Sequence, residues 1–354
     1  MPVNFSRHNL DEIQRAPGNS YYVSEKTDGV RHLMIFTGKT VVLVDRAMRG
    51  KQPKPGQPGE EPFASIIGLF KPGTVLDGEV VMNRRARKPR PIFIVFDVMA
   101  TSTTEPTLQL PFEQRLRHLE HATFRTAGAN RNMFDARLVA DLSIPLPLVR
   151  KNFVQRTAVD ELLSHVVEEG GMRCYRNGDL HFHLTDGIIF QPNSPYVCGT
   201  DRHLLKWKYL DTVTIDVEIL PLLHTDDDDT LRVACLGEEG TRVDMTRHVL
   251  LPKTERMRLE ADRFESGGKI AEVGFDPETG EWYYLTMRPD KIAPNHISTV
   301  LGTMMELGES LTTDELRFRL SVPAGAPDIY RREMRKMVKK LLQFQRNSLN
   351  GQTR

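Results

Sequence analysis

The chain has 354 residues, 39% hydrophobic and 27% charged, with a net charge of +1. That length predicts two domains rather than one, and no apolar run approaches the roughly 20 residues of a membrane-spanning helix. The opening MPVNFSRHNLDEIQ has no apolar leader segment, so no membrane partner is expected. Three scattered cysteines, Cys174, Cys198 and Cys235, signal neither a disulfide framework nor a CxxC metal site and suit a reducing, intracellular compartment.

In chain order, Tyr21–Ser24 reads as a strand, followed by the string Lys26-Thr27-Asp28-Gly29-Val30-Arg31. Two β-rich runs, His32–Phe36 and Thr40–Val44, are joined by a short turn and predict a hairpin. Lys51–Pro62 is a Pro/Gly/Glu loop without periodicity. Val75–Met82 and Pro91–Val98 predict a second strand pair, with the basic turn Asn83–Arg90 between them. Residues 111–124 and 157–169 are expected to be helical, the latter from Leu162, Val166 and Val167 at helical spacing. Leu184–Gln191 and Leu204–Trp207 return to strand.

After Asp211 the texture changes to short strands separated by turns, from Val213 to Met287. This predicts a small β-barrel of the oligonucleotide/oligosaccharide-binding (OB) type. The acidic run Asp226–Asp229 reads as a hairpin tip rather than a metal cluster, and DPETGE at 276–281 as a second hairpin. Helices end the chain, and Tyr330–Arg346 is strongly basic. Both basic segments suit a solvated surface first, and a contact to nucleic acid or an acidic partner second. The expected organisation is α+β: a domain of antiparallel sheets with helices over 1–211, an OB-fold domain over 212–310, and C-terminal helices over 311–354 that pack back on the first domain.

Six short segments share one chemical theme. Lys26 sits two residues before Asp-Gly; a lysine amine is a covalent nucleophile once neutral, and Gly29 permits a tight bend beside it. Leu76-Asp77-Gly78-Glu79 presents a carboxylate at a strand mouth, suited to a hard divalent cation. Phe93-Ile94-Val95-Phe96-Asp97 offers an aromatic that can stack on a base. Thr185-Asp186-Gly187 repeats the Asp-Gly pattern. Lys206 and Lys208 lie on one face of a strand, where two cations make sense against a phosphate. Arg288-Pro289-Asp290-Lys291 adds a further charged cluster. Together they describe a phosphate-rich cleft.

These segments resemble, in order, the six motifs of the covalent nucleotidyltransferase superfamily of mRNA capping guanylyltransferases, ATP-dependent DNA ligases and RNA ligases. The resemblance runs from about Pro2 to about Leu320. Asp186 before Gly187, where DNA ligases generally carry Glu, the Arg-x-Asp-Lys form at Arg288, and HLTDGIIFQP with LLKWK are similar to the capping branch. SEKTDGVR with VDRAM is similar to the compact capping enzymes of large algal DNA viruses.

The resemblance implies that Lys26 attacks GTP, releases pyrophosphate and holds GMP as a phosphoramidate, which a 5′-diphosphate RNA end then takes. It implies that Arg31 and Arg46 hold the ribose or a neighbouring phosphate, and that Glu79 and Asp186 serve a Mg or Mn ion and the ribose. Phe96 would stack on guanine and Lys151 would read its edge. Lys206 and Lys208 would hold the α-phosphate and help keep Lys26 neutral. Arg288, Asp290 and Lys291 would reach the β- and γ-phosphates. Many members have a second arginine two places before the Arg-x-Asp-Lys arginine; here that position is Thr286, which implies fewer contacts to pyrophosphate.

No His-Cys-x5-Arg phosphatase signature and no methyltransferase-like Gly-rich fingerprint is present. An RNA triphosphatase, a cap methyltransferase or a phosphorylated RNA polymerase tail are therefore expected partners, in the nucleus or in a viral factory. Two other readings stay open at this level: an ATP-dependent polynucleotide ligase using the same lysine, and a non-catalytic scaffold that binds an acidic or phosphorylated partner.

Overall fold

The computed structural model describes residues 1–85, 89–120, 124, 132–178, 181–220, 231–261, 269–276, 279–323 and 325–351. It divides into two compact units. One holds Met1–Val3, Arg7–Leu205 and Thr313–Arg354; the other holds Asn4–Ser6 and Lys206–Thr312. No helix among the described residues is long and apolar enough to cross a membrane.

The first unit is built on two seven-stranded sheets. In one, Val30–Phe36 lies between Val41–Val44 and Val75–Asn83, and Val75–Asn83 pairs with the long strand Arg90–Ser102. The expected hairpin and strand pair are both present. The run Ile92–Val95 is apolar at every position because both faces of its sheet are covered. Phe93 and Val95 enter one core with Met34, Phe36, Leu76, Phe70 and Phe134. Ile92 and Ile94 enter a second core with Val81, Val139 and Val149. Each such side chain contributes about 1.5–3 kcal/mol by leaving water.

The other sheet runs Pro2–Asn4, Asp201–Lys208, His181–Pro192, Met172–Asn177, Val166–Glu169, and the strand Tyr21–Thr27 pairs onto His181–Pro192. The helix expected over 157–169 is only half present. Val159–Ser164 is helical, but Val166–Glu169 is a strand paired with Met172–Asn177. Gly170 and Gly171 adopt φ of 58° and 76°, which turns the chain back and gives the β-branched Val166 and Val167 a ladder to join. The helix expected over 111–124 is Phe112–His118; residues 121–123 lie outside the described residues.

The second unit is a six-stranded sheet with an OB-type fold. Its order is Arg242–Asp244, Arg232–Leu236, Thr214–Leu220, Lys269–Asp276, Glu281–Met287, Val249–Leu250, the last pair parallel. Ile215, Val217, Ile219, Val233, Cys235, Val273 and Trp282 form its core with Val300 of helix Ile297–Glu309. The tip expected at Asp226–Asp229 lies outside the described residues, as do two residues of the second hairpin, whose strands pair as far as Asp276 and Glu281.

Helices Thr313–Ser321 and Ile329–Gly351 belong to the first unit. Arg7 pairs with Glu315, Arg319 with Asp11, and Arg331 with Asp11, so the N-terminal helix Arg7–Arg15 is tied to both of them.

Candidate active site

Lys26 stands inside a strand, Tyr21–Thr27, rather than in a turn. The partner strand carries Thr185 opposite Thr27 and Gly187 opposite Lys26, so Asp186 is the extra residue of a bulge. A bulge re-aims the side chain it extrudes, and here Asp186 Oδ1 and Oδ2 accept from Lys26 Nζ at 2.6 and 2.7 Å. Both side chains keep some contact with solvent, at 20% and 18% exposure, so a ligand can reach the pair.

The glycine after Asp28 has a different task from the bend expected of it. Gly29 is not among the residues with positive φ. A Cβ there would lie 2.5 Å from the Val80 carbonyl oxygen and 3.0 Å from Glu79 Cγ. Its missing side chain is what lets the link between the lysine strand and Val30–Phe36 approach the strand that bears Glu79.

A second bulge places the aromatic. Asp77 pairs with Asp97 and Gly78 with Val95, which leaves Phe96 as the extra residue. Beyond it the alternation changes phase, and Val98 enters the core where simple alternation would put Asp97. Asp97 is buried instead in a fork with Arg115, at 2.8 Å for both contacts. Phe96 remains half-buried, and the Arg31 guanidinium lies 5.7 Å from its ring centroid. Arg31 is itself held by Asp77 through Nε and Nη2 at 2.9 and 2.6 Å, and by the Tyr196 hydroxyl at 3.0 Å.

Glu79 is opposite Arg31 in the ladder. Burial raises its carboxyl above the ordinary value; Lys151, Lys26 and Arg46 act against that, and Asp186 reinforces it. Among the described residues no three His, Cys, Asp or Glu side chains gather as metal ligands. Two carboxylates, Glu79 and Asp186, nevertheless fit a magnesium-type ion, which commonly takes one or two carboxylates and fills its shell with water and substrate phosphates.

Lys151 follows the short strand Leu148–Arg150, and its backbone N–H donates to Val95 at 2.8 Å. Its side chain is 4% exposed. Nζ donates to Thr27 Oγ1 and lies 3.1 Å from Glu25 Oε1, which is also 3.3 Å from His183 Nε2. Glu25 Oε2 is buried with no hydrogen-bond partner among the described residues. Burial pushes Glu25 up, but Lys151 and His183 outweigh it and bring the carboxyl down to about 2.

Of the residues singled out in the sequence, Lys26, Asp186, Glu79, Arg31, Phe96 and Lys151 are linked in this way within the first unit. Arg46 is exposed, beyond the strand Val41–Val44, and acts on Glu79 through its charge.

Lys206, Lys208, Arg288, Asp290 and Lys291 belong to the second unit. Leu205 and Trp207 are buried, so the two lysines share the opposite face of their strand. Burial raises the Glu306 carboxyl to about 7, against the pull of Lys206 and Lys208. Arg288 forks onto Asp290 at 3.0 and 2.8 Å and lies 3.5 Å from Asp216; Lys291 reaches Asp216 at 3.1 Å.

Sequence reasoning missed Glu25, Thr27, His183, Asp77, Tyr196 and Asp216. Strand alternation around Lys26 could have found the first two, and the two-residue spacing from Glu79 could have found Asp77. Tyr196 and Asp216 reach their partners from distant segments and carry no local signal.

A two-sheet domain with a bulged Asp-Gly strand against a lysine, followed in the chain by an OB-type unit, defines a nucleotidyltransferase. The family description "mRNA capping enzyme, catalytic domain" matches residues 1–210, and "mRNA capping enzyme, C-terminal domain" matches residues 221–317. The chain belongs to the mRNA capping enzyme family, and its activity is guanylyl transfer.

The mRNA-capping enzyme subunit alpha of Neurospora crassa is 26% identical, over 89% of this chain and 82% of that protein. The subunit alpha of Saccharomyces cerevisiae is also 26% identical, over 89% of this chain and 76% of that protein. The mRNA-capping enzyme of Danio rerio is 25% identical over 89% of this chain but only 48% of its own length.

Proposed function

We propose that Lys26 carries GMP between GTP and the 5′-diphosphate end of an RNA. The observation that carries this reading is the Asp186 bulge, which sets a carboxylate 2.6 Å from Lys26 Nζ, with both side chains partly open to solvent. An ammonium must shed a proton before it can attack, and Asp186 is the acceptor already in contact. The Nζ lone pair then bonds to the α-phosphorus while the bond from that phosphorus to the bridging oxygen of the β-phosphate breaks. Pyrophosphate leaves with the electron pair. In the second step a β-phosphate oxygen of the RNA attacks the same phosphorus, the P–N bond breaks, and Lys26 recovers its proton.

Guanine is held on the Phe96 ring, over which the Arg31 guanidinium lies 5.7 Å from the centroid. Lys151 has one ammonium proton on Thr27 and one towards Glu25, which leaves the third for the guanine O6 acceptor. Adenine offers a donor at that position and is rejected. Glu79 and Asp186 would hold a divalent ion, which when bound neutralises phosphate charge. Lys206 and Lys208 bind the α-phosphate. Arg288 and Lys291 exchange Asp216 for oxygens of the departing pyrophosphate, and Asp290 keeps Arg288 in position.

An RNA with a 5′-diphosphate implies a preceding hydrolysis of a 5′-triphosphate, so a triphosphatase supplies the substrate and a cap methyltransferase consumes the product. The nucleus is the compartment proposed for this work.

Incubating the protein with α-labelled GTP, and separately ATP, tests the reading. Acid-labile, alkali-stable label on the denatured chain is expected from GTP alone and is expected to vanish in Lys26→Ala. Label from ATP, or label that survives in Lys26→Ala, would refute it.

A further inference from the structure

The first unit also holds an open cavity of about 330 Å³ lined by the N-terminal helix, helix Thr313–Ser321 and the start of helix Ile329–Gly351. It shares no residue with the nucleotide site. Its basic and aromatic lining is Arg7, His8, Arg319, Tyr330, Arg331 and Arg335. Three guanidiniums are matched by carboxylates: Arg7 by Glu315, Arg331 by Asp11, and Arg319 by Asp11 and by Asp328 at 2.9 Å. Arg335 has no carboxylate partner among the described residues. The cavity therefore keeps a net positive wall.

The same helix carries that charge outward. Arg332, Arg335, Lys336, Lys339 and Lys340 recur at three- and four-residue spacing, along about 12 Å of one helix face. All five are exposed. One acid, Glu333, serves Arg332 at 3.6 Å and Lys336 at 2.8 Å. Lys339 and Lys340 have no ion-pair partner among the described residues. Like charges four apart destabilise a helix, so the stripe costs stability unless an anion covers it.

We propose that this cavity and the helix face beyond it form a binding surface for the RNA acceptor, following its phosphates without reading its bases. The inference rests on the reading above that RNA is the second substrate. A linear row of cations matches a phosphate chain, and the Arg335 guanidinium at the concavity can hold a phosphate with paired hydrogen bonds, which a flat lipid surface cannot present so deeply.

The test uses the full-length chain and the triple variant Lys336→Glu/Lys339→Glu/Lys340→Glu, with the matching Lys→Gln triple as a milder form. Binding of a fluorescein-labelled 5′-diphosphate RNA is measured by anisotropy against KCl concentration, beside lysine–GMP formation from GTP and the KM for RNA in transfer. The Glu triple is expected to weaken RNA binding and raise that KM at least tenfold, with adduct formation unchanged. Losing three phosphate contacts flattens the log–log salt slope by about 2, and the Gln triple falls between. Unchanged RNA affinity and salt slope would overturn the proposal, including where the variant lost binding to a multiply phosphorylated peptide or to anionic vesicles instead. Absence of the adduct in the unmodified chain would instead sink the guanylyl-transfer reading, and the anisotropy result would still judge this one.

Discussion

At the scale of single residues, the proposed reading of guanine by Lys151 depends on Glu25, which lies 3.1 Å from its Nζ. A buried lysine with three protons and no fixed acceptors would point anywhere; Glu25 and Thr27 take two of its directions. Glu25→Gln should leave Lys151 buried without a full counter-charge, a cost of about 3 kcal/mol. It should also raise the KM for GTP in adduct formation roughly tenfold and relax the preference for GTP over ATP. The pH dependence follows from the depressed carboxyl. Its folded-state value of about 2 lies below the ordinary 4.5, so its contribution is complete above about 4.5 and is lost as pH falls through 2. Urea unfolding of both forms should therefore show a gap at pH 6 that closes towards pH 2. A gap that stays constant over that range would show that Glu25 does not supply it.

Elements explain why the site assembles at all. Regular strands would turn Asp186 and Phe96 to the faces that alternation dictates; one inserted residue in each strand sets Asp186 on Lys26 and Phe96 beneath Arg31 instead. The strands must also come close, and Gly29 sets that distance. Gly29→Ala should lower the midpoint of thermal unfolding by several degrees and slow lysine labelling at least tenfold, since the Val80 carbonyl cannot yield as a flexible side chain could. Gly18→Ala is the matched control, because a Cβ there meets nothing within 4 Å. Equal behaviour of the two variants would remove close approach as the reason for Gly29.

The motif strands were legible because their apolar runs are short, β-rich and bounded by turn residues. The segment 157–169 was not, because Leu162, Val166 and Val167 satisfy a helical period while their last third is recruited by a neighbouring strand. Periodicity describes one segment at a time, and a ladder needs two.

For the whole molecule, the notable feature is that the first unit is made from both ends of the chain, with the second unit's residues lying between them in sequence. Arg319 is the hub of that closure. It is 4% exposed and meets Asp11, Asp328 and Glu315. Arg319→Ala leaves the buried Asp328 carboxylate without its cation, while Asp11 keeps Arg331 and Glu315 keeps Arg7, and should cost about 3 kcal/mol. Two units need not unfold as one, so the expected result in calorimetry is a lower transition for the first unit alone, partly restored by GTP. A shift in both transitions, or in neither, would contradict this assignment of Arg319.

The sequence by itself determined the chemistry and the fold class. A lysine before Asp-Gly, repeated Asp-Gly strands, paired lysines and an Arg-x-Asp-Lys cluster are local patterns, and local patterns survive in a string of letters. Only the tertiary structure decided which groups hold the candidate site residues: Asp77 and Tyr196 around Arg31, Glu25 (itself held by His183) beside Lys151, and Asp216 near Arg288 and Lys291. Those partners come from strands and loops brought together by sheet pairing and core burial. The free energy that selects them belongs to long-range packing and desolvation, which no window along the chain contains.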